Sequence, residues 1–250
     1  MDDLQLLVDL HADGERQGPG GDDETRLAVT LSGLVGATGL KVADVGCGTG
    51  ASTRVLAEAL DAHVTAVDLF PEFLAALDRE AARAGLSDRI ATLQAPMEDL
   101  PFAEASLDAI WSEGAIYNMG FAAGVAAWRR FLKPGGVLAV SELTWLTATR
   151  PEALQAHWDA EYPEVDVASA KIAILEREGF SPIGWFALPE RCWRENYYEP
   201  MRRRFPDFLR RHEGSEVARA LVAGEEAEIA LYELHSAFVS YGYYVARRLD

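Results

Sequence analysis

Residues 41–50 read Lys41-Val42-Ala43-Asp44-Val45-Gly46-Cys47-Gly48-Thr49-Gly50. A short apolar run carrying one acid, Asp44, breaks into three alternating glycines. A helical pattern from Ser52 to Leu60 follows at once. The stretch reads as strand, tight turn and helix. The glycines permit positive φ and clear side chains from where a ligand approaches the backbone. The helix behind them offers unpaired N–H groups and the positive end of its dipole to that ligand.

Gly46-x-Gly48-x-x-Ala51 also fits the loose dinucleotide fingerprint. Two neighbouring features point elsewhere. Asp44 lies inside the strand, two positions before the first glycine, where it repels a phosphate but not a cation or an ammonium. Val64-Thr65-Ala66-Val67-Asp68 is a second apolar strand closed by a carboxylate, about 20 residues on, where an acid can accept both hydroxyls of a ribose. A ribose joined to a positively charged amino-acid end describes S-adenosylmethionine better than NAD.

Outward from this core, strands are expected at 41–45, 63–67, 90–94, 107–112 and 136–142, with helices at 51–60, 71–84 and 121–132 between them. Pro71 suits a first helical turn, and Lys133-Pro134-Gly135-Gly136 reads as helix stop and turn. Such alternation predicts a mainly parallel sheet with helices on both faces. Before it come a short helix at 4–11, a glycine-rich stretch at 13–21 and a helix at 23–34. After it come helices at 151–160 and 168–178, a strand at 182–188, a charged helical insertion at 200–233 and an aromatic last strand at 236–246. With no repeat or linker, 1–250 reads as one domain: an N-terminal lid at 1–35, a cofactor-binding core at 36–142, and substrate-side helices and last strands at 143–250.

Composition narrows the partners. The 250 residues are 49% hydrophobic and 25% charged, with a net charge of −17, which disfavours nucleic acid and anionic lipid. Two cysteines make neither a disulfide framework nor a zinc pattern. No apolar run is long enough to span a bilayer, and Met1-Asp2-Asp3-Leu4 does not open like a secretory leader. The expected location is the cytoplasm, the expected state a monomer or homodimer, and no metal is expected.

Five motifs occur in order: Asp44–Gly50, Val64–Asp68, Met97-Glu98-Asp99-Leu100-Pro101-Phe102, Leu107-Asp108-Ala109-Ile110-Trp111-Ser112-Glu113, and Leu132-Lys133-Pro134-Gly135-Gly136. Together they resemble a class I S-adenosylmethionine-dependent methyltransferase, in the small-molecule branch of ubiquinone- and menaquinone-biosynthesis-type enzymes. Arg16–Gly20, Trp111–Asn118 and Leu188–Trp193 resemble, more narrowly, a bacterial group of methyltransferases. The resemblance implies a doubly wound, Rossmann-like α/β sheet of seven strands with the last antiparallel, a lid helix, and a helical insertion before the last strand. It implies S-adenosylmethionine as methyl donor, with Asp44, Gly46, Gly48, Thr49 and Gly50 at the methionine portion and Asp68 at the ribose. Leu69 or Phe70 would face the adenine, with Met97 and Glu98 at its edge. Pro96 departs from the acidic residue many members carry there. Gln17 and Gly18 would bind the cofactor from the lid.

In-line methyl transfer needs donor and acceptor held close, aligned and dry, and a base only where the nucleophile must lose a proton. Glu113 is the first candidate carboxylate, with turn capping or binding of the donor's ammonium as its alternatives. His157 is a second candidate for catalysis, against simple packing. Tyr117, Asn118, Glu142 and Trp145 are expected at the substrate, and Tyr162, Trp193, Tyr197 and Tyr198 could extend an aromatic wall. The rival readings are a nicotinamide-dependent oxidoreductase on the same core and a non-catalytic cofactor-binding protein.

Overall fold

The computed structural model describes residues 3–250. The core strands are β1 (Leu40–Val45), β2 (Ala62–Asp68), β3 (Ile90–Gln94), β4 (Leu107–Glu113) and β5 (Leu132–Trp145). Between them run α3 (Ala51–Ala59), α4 (Pro71–Ala84) and α5 (Phe121–Arg129), preceded by α1 (Asp3–His11) and α2 (Asp22–Ser32). The second half adds α6 (Glu152–Glu161), β6 (Asp166–Val167), α7 (Ala168–Arg177) and β7 (Phe180–Ala187). It ends with α8 (Glu190–Trp193), α9 (Glu199–Arg211), α10 (Glu216–His235) and β8 (Val239–Arg248).

The sheet order is β3-β2-β1-β4-β5-β8-β7, with β8 antiparallel to both of its neighbours. This is the expected seven-strand path. The two-residue β6 adds an unexpected eighth strand, pairing with the far end of β5. Strand order reverses between β1 and β4, so their carboxyl ends open the crevice in which doubly wound sheets bind ligands.

Alternation along the strands sends residues into two cores. Val42, Val64, Ala109 and Trp111 pack with α2, α3 and α4. Ala43, Val45, Ile110 and Val140 pack with α5 and α7 on the other face. A third cluster joins Leu6 and Leu10 of α1 to Trp193, Met201, Phe205 and Ile229 of the C-terminal helices. That cluster seats α1 and the C-terminal helices together over the open end of the sheet.

Three local expectations are corrected. Lys133–Gly136 is not a turn before β5 but a bulge within it: β4 pairs Leu107 with Leu132 and then Ala109 with Val137. The last strand starts at Val239, because α10 continues to His235. The helical insertion begins earlier, at Glu190, and passes through a π-helical turn at Arg194–Tyr198. Such turns are concentrated at functional sites, and this one brings Asn196 and Tyr197 against the N-terminal arm, where Asn196 Nδ2 donates to the Gly20 carbonyl at 2.7 Å.

Candidate active site

A crevice of about 670 Å³ lies beyond the carboxyl ends of β1, β2 and β4. Gly46 and Gly48 form its floor, both at positive φ. A Cβ on Gly46 would stand 2.3 Å from the Ala115 Cβ, and one on Gly48 2.0 Å from Gln17 Oε1. Only glycine fits these two places. The first turn of α3 has no side-chain cap, and its Ala51 and Ser52 stand on the crevice as expected, whereas the N–H groups of the glycine turn itself are engaged. Gly46 and Cys47 donate to the Val67 carbonyl, Gly50 to the Cys47 carbonyl, Gly48 to Asp68 and Thr49 to Gln17.

Asp68 lies on the crevice wall. Its Oδ2 accepts the Gly48 N–H at 2.8 Å and its Oδ1 the Phe70 N–H at 3.0 Å. Burial raises its pKa, against the opposing pull of these N–H groups. Leu69 and Phe70 border the same wall, with Pro96, Met97 and Glu98 across from them. Gln94 Nε2 holds the Leu69 carbonyl at 3.1 Å, and Trp128 Nε1 takes the Met97 carbonyl at 3.0 Å.

The N-terminal arm closes the crevice. Leu4, Leu7, His11, Arg16, Gln17 and Gly18 all line it. Gln17 is latched to the glycine turn: its Oε1 accepts from Thr49 N at 2.9 Å while its Nε2 donates to Thr49 Oγ1 at 3.1 Å. Thr49 Oγ1 in turn donates to the Gly14 and Glu15 carbonyls, each at 2.9 Å. Arg16 bridges Glu113 at 3.1 Å and Asp22 at 2.8 Å. Burial opposes the Arg16 charge, but these two acids outweigh it and raise its pKa.

Five expected positions stand off the wall: Asp44, Thr49, Gly50, Trp145 and Glu142. Asp44 is fully buried behind the turn, where Oδ2 accepts from Ser52 at 2.8 Å and Thr53 at 2.6 Å, while Oδ1 has no partner. Burial pushes its pKa up to about 7, against those hydroxyls. Asp44 thus anchors the start of α3 instead of meeting a ligand directly. Thr49 is turned toward the arm. Gly50 is covered by Leu77, 2.1 Å from where a Cβ would stand. Trp145 is buried, with the Arg150 guanidinium 4.2 Å over its ring.

Two expected acids are already engaged. Glu113 does reach the crevice, but its Oε1 accepts from Thr25 Oγ1 at 2.6 Å and Tyr243 OH at 2.9 Å, and its Oε2 from Arg16. It is a tether for α2 and the arm, not a free base. Glu142 is buried 3.7 Å from the Lys171 ammonium, its pKa raised to about 7 because burial outweighs that cation. It belongs to an internal ion pair.

A second chamber of about 840 Å³ opens behind the first. The two share Gln17, Pro19, Tyr117, Tyr197, Glu225 and Glu228 at their junction. His157, Trp158 and Tyr162 of the α6 region line it together with Trp193 and Tyr241. His157 is therefore in the inner chamber, Tyr117 at the junction, and Asn118 on the outer crevice. Tyr198 misses the wall and instead donates to Glu228 Oε1 at 2.9 Å. Sequence reasoning missed Glu225 and Glu228. The signal was the spacing Leu221, Glu225, Glu228 along one helical face.

Comparison with known proteins agrees with this geometry. A family model described as a methyltransferase domain matches residues 43–140. The malonyl-[acyl-carrier protein] O-methyltransferase of Dechloromonas aromatica is 33% identical over 139 residues, 52% of this chain and 48% of the relative. The 27-O-demethylrifamycin SV methyltransferase of Amycolatopsis mediterranei is 31% identical over 62% of this chain and 56% of its own length. A sterol 24-C-methyltransferase of Gibberella zeae is 36% identical over 43% of this chain and 28% of its own. The chain thus spans less than two thirds of each of these relatives. A methyltransferase of Geobacter sulfurreducens solved with S-adenosyl-L-homocysteine superposes with a TM-score of 0.81 at 16% identity, over 97% of both chains. The [4+2]-cyclase SpnF superposes at 0.75 and 21% identity, over 98% of this chain and 92% of its own. Residues 43–140 thus resemble a methyltransferase domain, and the chain shares the fold of the S-adenosylmethionine-dependent methyltransferase it superposes on.

Proposed function

We propose that the protein transfers a methyl group from S-adenosylmethionine to a small-molecule acceptor. The observation that carries this reading is the crevice floor: a glycine turn with every N–H already engaged, beside a wall carboxylate, Asp68, free to take further donors. A carboxylate there suits a ribose, and a turn whose own N–H groups are engaged offers a pyrophosphate few donors. The cyclase neighbour is a reminder that this fold alone does not fix chemistry.

In this reading Asp68 takes the ribose hydroxyls, Leu69 and Phe70 the adenine face, and Glu98 the adenine amino group. Gly46 and Gly48 let the methionine portion lie against the backbone. When bound, S-adenosylmethionine supplies a methyl carbon on a positively charged sulfur. Asp44 acts on that end only through the turn it anchors. Gln17, Arg16 and Glu113 hold the arm shut, which excludes water. The acceptor occupies the inner chamber and meets the donor at Tyr117 and Tyr197. Among the described residues no helix is long and apolar enough to cross a membrane. The free, buried Cys47 and Cys192 fit a reducing compartment, so the cytoplasm is the proposed location.

Thermal unfolding with and without ligand tests the reading. S-adenosylhomocysteine in hundredfold excess over its Kd should stabilise the protein by about 2.7 kcal/mol, and NADH should leave the melting temperature unmoved. Stabilisation by NADH alone would favour the oxidoreductase.

A further inference from the structure

The inner chamber has a one-sided electrostatic character. Glu161, Glu225 and Glu228 line it, and among its described lining residues there is no Lys or Arg. Three other carboxylates with buried side chains find a cation: Glu24 meets Arg191, Glu113 meets Arg16 and Glu142 meets Lys171, while Asp44 and Asp68 are held by hydroxyl and backbone N–H donors. Glu225 has neither a hydrogen-bond donor nor an ion-pair partner among the described residues. Glu228, one turn along the same face of α10, has only the Tyr198 hydroxyl and the neighbouring His157 ring. Two acids at that spacing repel each other, and partial burial without a counter-charge is unfavourable.

Six aromatic side chains, Tyr117, Trp158, Tyr162, Trp193, Tyr197 and Tyr241, share the remaining wall with aliphatic residues such as Leu143 and Leu231. Aromatic faces attract organic cations, most strongly when water is excluded. Trp158 Nε1 and His157 Nε2 are buried without partners in the same chamber, leaving polar handles for another part of the occupant. Glu225 and Glu228 also stand at the junction with the donor crevice, where the reacting atom must be.

Resting on the methyltransferase reading above, we propose that the acceptor is an organic amine, held among the chamber aromatics with its positive charge facing Glu225 and Glu228, and that the methyl is placed on nitrogen. In the transfer the nitrogen lone pair forms the new N–C bond. The S–C bond breaks with its electron pair passing to sulfur, and the positive charge moves from sulfur to nitrogen. An amine that arrives protonated first gives its proton to Glu225, whose carboxyl burial and the Glu228 charge push up to about 7. Both acids then face the charge of the product.

The test is calorimetric, on the full chain, with and without S-adenosylhomocysteine. The probes are (3-hydroxyphenyl)trimethylammonium and its uncharged isostere 3-tert-butylphenol. The cation should bind at least tenfold more tightly, and this ratio should fall toward one in the double variant Glu225→Gln/Glu228→Gln, checked for folding by its melting curve. Equal binding of the two probes, binding of neither, or a preference that survives in a folded double variant would overturn the inference. Should the double variant not fold, the native ratio and its loss in Glu225→Gln alone decide the matter. The native protein's response to S-adenosylhomocysteine reports separately on the donor reading. A cation preference without nucleoside binding would retain the chamber and discard the donor.

Discussion

Asp68 Oδ2 accepts the Gly48 N–H at 2.8 Å, so the acid that closes β2 is bolted to the turn that closes β1. One carboxylate thus shapes the floor of the crevice and also presents its remaining lone pairs to a ligand. Replacing Asp68 by Ala should weaken S-adenosylhomocysteine binding by about 1–3 kcal/mol, the range for hydrogen bonds to a charged group. Calorimetry on the variant checks this, and an unchanged affinity would remove Asp68 from the ribose.

The Gln17–Thr49 latch makes a kinetic prediction. Gln17→Ala removes the acceptor of the Thr49 N–H and the donor to Thr49 Oγ1, so the arm should open more often. Limited proteolysis should cut residues 12–21 several-fold faster than in the native protein, and S-adenosylhomocysteine should slow that cutting. Equal cleavage rates would mean the arm is held by the α1 packing alone.

Glu113 separates a tether from a base. Since both of its oxygens already accept hydrogen bonds, Glu113→Gln should raise the KM for the donor and lower the melting temperature, while kcat falls less than tenfold and the pH–rate profile keeps its shape. A general base would instead cost about 10²–10⁴ in kcat and remove one limb of the profile.

Asp44 should make stability depend on pH. Its folded pKa, pushed up to about 7 by burial, lies above the ordinary aspartate value of 3.8, so the folded state holds the proton more tightly. The contribution is fully present below about pH 4 and is lost as pH rises through 7. Asp44→Asn should flatten denaturant-unfolding stability across that window. An unaltered slope would mean that Asp44 ionises normally in the fold. Glu142 acts in the same direction, so some slope remains in the variant.

Much of this was legible in the chain because it is local. The turn at Gly46–Gly50 and the acid closing β2 at Asp68 each follow from a few adjacent residues, while the Met97–Glu98 edge follows from the resemblance alone. What escaped depends on distant packing. Trp145 was expected at the substrate, but β5 runs on to pair with β8 and β6, which buries its ring under Arg150. For Glu113 the sequence leaves a functional carboxylate and a turn cap both open, because its three partners come from residues 16, 25 and 243, none of them near it in sequence. Glu225 and Glu228 looked like ordinary charges on a solvated helix. Only the folding of α10 over the open end of the sheet turns that face inward.

The central claim is that the crevice between β1 and β4 grips a sulfonium nucleoside, with Asp68 on its sugar. A crystal structure grown with S-adenosylhomocysteine tests it most directly. The account predicts both ribose hydroxyls within hydrogen-bonding distance of the Asp68 carboxylate and the sulfur facing the Tyr117–Tyr197 junction. A nucleoside bound elsewhere, or a pyrophosphate seated against Gly46–Gly50 in a matching crystal with NAD, would contradict it.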